Sequence, residues 1–189
     1  VQDYIDGIPG EDLARLDREG YDRRLLAQRG ARLMLKMIVE DGFFHADPHP
    51  GNLFYLPGNR IALIDFGMVG HIVPRRRDEL LRLLLGLVER RPQDVADVLL
   101  DWAGPSHQAQ IATLEEEIET FVDRHHGTPI AQLHLGQMLV EVSTVLREHR
   151  LAIPSDLALL IKAFISLEAM GCALDPGFQL AGDGVHAND

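Results

Sequence analysis

Cysteine is nearly missing from these 189 residues: Cys172 stands alone, which excludes an internal disulfide framework and a Cys-rich zinc module. One free thiol fits a reducing compartment and is read as a small buried apolar residue. Lysine is almost as scarce, at Lys36 and Lys162 only, and Lys+Arg total 18 against 29 Asp+Glu. The resulting formal charge of −11 argues against a dedicated nucleic-acid binder, whose affinity rests on neutralising phosphates. Aromatics are 6%, and the single tryptophan, Trp102, reads as core. No uninterrupted apolar run approaches the ~18 residues that suggest a membrane span; the best stretch, Leu157 to Met170, is broken by Lys162, Ser166 and Glu168. Val1-Gln2-Asp3 lacks the basic and apolar parts of a signal peptide. A first residue other than Met and a polar end from Gly182 to Asp189 suit a piece of a longer protein.

What is present is an ordinary globular mix, 46% apolar and 25% charged, dominated by helical periodicity. Leu26, Leu33, Met34, Met37 and Ile38 form one stripe on a helix from about Asp22 to Asp41, stopped by Gly42. Two short apolar segments follow, 52–55 and 60–64, joined by the turn signal Pro57-Gly58-Asn59, which predicts a hairpin. Helical stripes resume with Leu80, Leu81, Leu84, Leu87 and Val88, and Pro92 divides that helix from one running through Leu99 and Trp102. Ile111, Leu114, Ile118, Phe121 and Val122 mark another, ending near Gly127-Thr128-Pro129. Met138 to Leu146 and Leu157 to Leu167 give two more, the last opened by Pro154-Ser155-Asp156. The expected fold is α+β: mostly α-helical, with one small β-hairpin.

The chemistry gathers around that hairpin. Residues 43–52 read Phe43-Phe44-His45-Ala46-Asp47-Pro48-His49-Pro50-Gly51-Asn52, and two prolines with a glycine predict a loop throughout. Polar groups packed this densely between apolar anchors are costly unless paired, so a functional loop is expected. Beyond the hairpin comes Asp65-Phe66-Gly67, whose carboxylate should emerge partly desolvated at a strand end, with Gly67 allowing a sharp turn. His-x-Asp-x-x-x-x-Asn followed by Asp-Phe-Gly is the catalytic-loop and metal-site pair of the protein-kinase-like fold. Asp47 would be the catalytic base, and Asn52 and Asp65 the Mg²⁺ ligands beside the nucleotide phosphates.

Competing readings are weaker. His45, Asp47 and His49 could form a metal-hydrolase trio, but no further His or Cys cluster lies near to complete a zinc site. His45 is better read as structural, packed and bonded to backbone. His125-His126 reads as a solvated helix C-terminus. Arg75-Arg76-Arg77 could meet phosphates or anionic lipid, or could simply be an exposed helix start.

These residues resemble the UbiB/ADCK family of atypical kinases, linked to ubiquinone (coenzyme Q) biosynthesis. The most specific match is His45 to Asn52, HADPHPGN, with Ile64-Asp65-Phe66-Gly67 after it. Asp3-Tyr4-Ile5-Asp6-Gly7 resembles the family's hinge, which implies that backbone around Asp3, Tyr4 and Ile5 meets adenine. Ile153-Pro154-Ser155-Asp156 and Leu174-Asp175-Pro176 resemble its closing helix. The resemblance implies the large, C-terminal lobe of a protein-kinase-like fold, with the small lobe absent from this chain. It implies hinge-like residues 1–20, a lobe over 21–182 and a polar tail, 183–189. Within the lobe fall the catalytic loop 43–52, hairpin 53–64, metal motif 65–67 and helical remainder 75–172.

The small-lobe phosphate lysine has no counterpart, because Lys36 and Lys162 each fall inside a predicted large-lobe helix. The implied activity is therefore that of a longer ATP- and Mg²⁺-dependent kinase or ATPase, and this chain by itself is expected to be inactive. Helix signals from Pro74, soon after Asp65, leave no room for a peptide-docking platform, so a small-molecule or lipid-associated substrate is expected. The implied partners are a nucleotide and that substrate, without nucleic acid, in the cytoplasm or at the cytoplasmic face of a membrane with peripheral contact. A non-catalytic pseudokinase module, or an aminoglycoside- or choline-kinase-like phosphotransferase, is the alternative.

Overall fold

The computed structural model describes residues 4–103, 111–125 and 134–180. Asp3, His126, the turn at 127–129 and the tail 183–189 therefore lie outside the described residues.

The polypeptide enters through strand β1 (Ile8–Pro9) and a short helix α1 (Leu13–Arg18), begun by the Asp12 carboxylate accepting from the Arg15 amide. Helix α2 (Arg23–Lys36) opens in the same way, with the Asp22 side chain accepting from Leu25 N–H at 2.9 Å. Its buried face of Leu26, Ala27, Gly30, Ala31 and Met34 is the predicted stripe's side of the helix. The last turn widens into a π-helical segment, Met37–Asp41, before Gly42 ends it at φ 65°, a conformation glycine adopts without penalty.

The hairpin of β3 (Leu53–Leu56) and β4 (Arg60–Leu63) forms as predicted, with Leu53 opposite Leu63 and Leu56 opposite Arg60. Arg29 of α2 donates to the carbonyls of Gly58 and Asn59, and Asn59 Oδ1 accepts from Asp22 N–H, so the turn is tied to the start of α2. β1 adds to β3 antiparallel, completing a three-stranded sheet in the order β1-β3-β4.

Residues 43–52 are not loop throughout. Phe43–His45 form strand β2, paired antiparallel with β5 (Val69–His71). The prolines that exclude a ladder sit downstream, at 48 and 50, and leave these residues free to pair. Phe44 is fully buried because its partner is Gly70: a Cβ there would lie 2.1 Å from the Phe44 ring.

The helices α3 (Pro74–Val88), α4 (Pro92–Ala103), α5 (Ile111–His125), α6 (Leu135–Glu148) and α7 (Ser155–Leu174) follow the predicted stripes. α3 packs on α4, and α7 packs on both α2 and α6. By length and composition α7 could cross a membrane, but Leu157, Leu160, Ala163, Phe164, Leu167 and Met170 are core residues here. Buried Glu79 on α3 accepts from Arg75, Arg76 and Trp102 Nε1, and Arg76 reaches on to Asp156 at 3.0 Å, joining α3, α4 and α7.

Candidate active site

Asp47 lies just past the end of β2 and is set by His45. That ring is fully buried, and the Asp47 N–H donates to its Nδ1 at 3.1 Å. A backbone N–H can only donate, so Nδ1 accepts and the ring proton sits on Nε2, which faces the Ile64 carbonyl at 2.9 Å. One imidazole thus links Asp47 to the residue just before Asp65. Phe66 packs on the same ring, with centroids 5.0 Å apart. Both ring nitrogens are occupied, which removes His45 as a metal ligand and bears out its structural reading. Among the described residues no three His, Cys, Asp or Glu side chains converge on a metal position.

Asn52 is buried, at 8% exposure, and its Nδ2 donates to the Asp47 carbonyl at 3.1 Å. That bond fixes the amide orientation and leaves Oδ1 as the atom available to a cation. The Ile64 N–H donates to the Asn52 carbonyl at 2.9 Å, extending the β3–β4 ladder by one step. Asp65 is the next residue, so the hairpin closes Asn52 and Asp65 onto one end of the sheet.

Two expectations about Asp65 are corrected. It is exposed rather than partly desolvated, because β4 ends before it and residues 65–68 all lie at the surface. The sharp turn is taken by Asp65 itself, at φ 55°, and not by Gly67. Aspartate tolerates this left-handed region because its short side chain bonds locally, here accepting from Gly67 N–H at 3.2 Å. A Cβ on residue 67 would lie 2.9 Å from Asp65 Oδ1, so this glycine makes room for the carboxylate. Asn52 Oδ1 and the Asp65 carboxylate are hard oxygen donors, the set that suits Mg²⁺ completed by phosphate oxygens and water.

Tyr4, exposed, and Ile5, half-buried, lie in irregular chain leading into β1. Just past β1 the backbone runs close to the catalytic loop: a Cβ on Gly10 would meet the Pro50 carbonyl oxygen at 2.4 Å.

Several side chains differ from expectation. Arg75, Arg76 and Arg77 offer no free cationic patch. Arg75 pairs with Glu79, Arg76 lies over Trp102, and Arg77 donates to the carbonyls of Val39 and Glu40 at the end of the π segment. His125 is half-buried rather than solvated, edge-to-face with Phe121 and 3.2 Å from Glu141. Cys172 is exposed, because it lies on the outer face of α7. The sequence also gave no reason to place Lys162 at this site. α7 carries its Nζ to 3.0 Å from Asp47 Oδ1, while His49 Nε2 lies 4.0 Å from Oδ2. The available signal was a single cation on an otherwise uncharged exposed face of α7, formed by Ser155, Ala158, Ile165 and Ala169.

Comparison with known proteins identifies the family and the fold. Residues 1–99 match the ABC1 atypical kinase-like domain, and residues 118–179 match the UbiB helical domain. The chain is similar to "Probable protein kinase UbiB" of Azotobacter vinelandii, 32% identical over 95% of this chain and 34% of that protein. The protein of the same name from Marinobacter nauticus is 30% identical over the same shares. "Uncharacterized protein slr0889" of Synechocystis is 33% identical over 90% of this chain and 43% of its own length. The chain thus spans 34% of the length of the two UbiB relatives. Among solved structures it resembles that of the Rv3197–erythromycin complex from Mycobacterium tuberculosis, with a TM-score of 0.55 and 21% identity. The match covers 97% of this chain and 49% of that one, a likeness of fold that bears out the mostly helical, kinase-like architecture.

Proposed function

The chain belongs to the ABC1 atypical kinase-like family, and on that footing we propose that it carries the phosphoryl-transfer site of an ATP- and Mg²⁺-dependent kinase or ATPase. Asp47 acts as the base that takes the proton of the attacking hydroxyl or water. Asn52 Oδ1 and the Asp65 carboxylate hold the metal, which when bound supplies charge neutralisation at the nucleotide phosphates. The segment of Asp3, Tyr4 and Ile5 meets the adenine. The observation that carries this reading is the Asn52 amide, locked by the Asp47 carbonyl at 3.1 Å on the same ladder that leads into Asp65.

The acceptor is proposed to be a small or lipid-associated molecule. Only Met68 to Val73 separate Asp65-Phe66-Gly67 from α3, and β5 takes up half of them, which leaves no segment to dock a peptide. The family name of the relatives supports a link to ubiquinone biosynthesis. Calorimetry and phosphate release with Mg-ATP on the full-length protein test the assignment. Asp65→Asn should abolish metal-dependent nucleotide binding, and Asp47→Asn should bind Mg-ATP but lose turnover by about 10²-fold or more. Wild-type ATPase activity in Asp65→Asn would overturn it.

A further inference from the structure

The geometry points to Lys162 as a catalytic cation of this site, a residue that grips Asp47 with one N–H and presents another to the phosphoryl group in transfer. The inference rests on the reading of Asp47 as the base.

Lys162 sits midway along α7, and its ammonium reaches two segments at once. It is 3.0 Å from Asp47 Oδ1 and 3.6 Å from the Sδ of Met68, just after Asp65-Phe66-Gly67. The ammonium has three donors and thioether sulfur is a weak acceptor, so this position spends little more than one of them. Structural bracing does not account for the pair. The lysine side chain is 46% exposed and the aspartate 28%, a setting in which an ion pair adds little to stability. The other lysine is occupied elsewhere, with Lys36 Nζ 2.6 Å from Asp41.

In phosphoryl transfer there is little covalent work for the protein to do, and rate comes from positioning and from cations aimed at the charge on the moving group. The acceptor oxygen bonds to phosphorus as the bond to the nucleoside diphosphate oxygen breaks. The acceptor proton passes to Asp47, and Lys162 keeps its own protons throughout. Holding Oδ1 leaves Oδ2 to receive that proton, and places a positive charge next to the reacting atoms.

The test uses the full-length protein with Lys162→Met, Lys162→Arg, Asp47→Asn and the double variant of Lys162→Met with Asp47→Asn. Lys162→Met should lower kcat by about 10²-fold, the loss typical of one transition-state donor, and Lys162→Arg should recover part of it. Calorimetry should show Lys162→Met weakening a non-hydrolysable ATP analogue while ADP affinity stays within twofold. The double variant should be no slower than Asp47→Asn, since both residues act on the same reacting atoms. A kcat within threefold of wild type in Lys162→Met, with Asp47→Asn inactive, would overturn the role of Lys162 and leave the base assignment standing. Equal losses in Lys162→Met and Lys162→Arg, with ADP affinity lost as well, would reduce it to a structural residue. Wild-type turnover in Asp47→Asn would instead remove the base, and this inference with it.

Discussion

Replacing His45 by Phe isolates the two hydrogen bonds that set the catalytic loop, because the new ring keeps most of the volume and the packing on Phe66. It deprives the Asp47 N–H, at 3.1 Å, and the Ile64 carbonyl, at 2.9 Å, of their partner. The site is fully buried, so water does not replace the ring nitrogens. Each orphaned backbone group costs about 1–3 kcal/mol, and a Phe–Phe contact returns about 0.5–1.5 kcal/mol. The net loss should be about 2–4 kcal/mol, concentrated at the junction of β2 and β4. Amide hydrogen exchange on the full-length protein reads this locally: the Asp47 amide should lose protection by about 30-fold or more, the equivalent of about 2 kcal/mol. Turnover should fall with it, as the base loses its fixed position. Unchanged Asp47 protection, with stability within about 0.5 kcal/mol of wild type, would refute the claim that the imidazole sets this loop.

Three further perturbations probe the scaffold around the site. Tyr55 is fully buried, its hydroxyl meets no hydrogen-bond partner among the described residues, and burial pushes it up to about 12. Tyr55→Phe should therefore be neutral or stabilising by up to about 1 kcal/mol in urea unfolding, and a clear destabilisation would show that the hydroxyl is bonded. Glu79→Ala should cost about 1–3 kcal/mol, chiefly by leaving the buried Trp102 Nε1 without its acceptor, since Arg75 is exposed and Arg76 keeps Asp156. Burial alone would raise the Glu79 carboxyl, but hydrogen bonds from Arg75 and Trp102 and the charge of Arg76 outweigh it and hold it below 4.5. Its contribution is accordingly present above that value and lost as pH falls, a loss that a melting-temperature series on Glu79→Ala should no longer show. Glu168 has the opposite sign: burial raises its carboxyl above 4.5, although the amides of Gly136 and Leu135 donate to it. The folded state then favours the protonated form, so its contribution is full below 4.5 and fades as pH climbs through the raised value. Glu168→Gln keeps an acceptor for Gly136 and should melt higher than wild type at neutral pH, with the gap closing toward pH 4; a lower melting temperature at neutral pH would sink this.

The helices were legible because each buries one face, and the stripes Leu26 to Ile38 and Leu157 to Leu167 state that face in residue spacing alone. The β3–β4 hairpin was legible for a different reason, since Pro57-Gly58-Asn59 can do little but turn. The β2–β5 pair was hidden: three residues are too few for an alternation to register, and its determinant is one steric relation, Phe44 over the bare backbone of Gly70. The left-handed turn was placed two residues too late for a related reason. Glycine is the default residue for positive φ, yet here an Asx-type bond from Gly67 N–H lets Asp65 adopt it at 55°.

Lys162 shows the deeper limit of local reading. Its helical context was correct and rules it out as the small-lobe lysine, but that context alone says nothing of the 3.0 Å approach to Asp47. Helix membership fixes where a Cα lies, but a four-carbon stem can carry the charge across the gap between elements. What decides whether it reaches is the packing of α7 against β5 and α2, which involves residues far apart in the chain. A charge standing alone on an uncharged exposed face has no partner at helical spacing, so any partner it has comes from elsewhere in the fold. In this molecule that partner is the carboxylate whose position His45 fixes through the neighbouring amide. The motif residues and the distant lysine are thus one electrostatic unit, and only the part of it that is contiguous in sequence could be read as a motif.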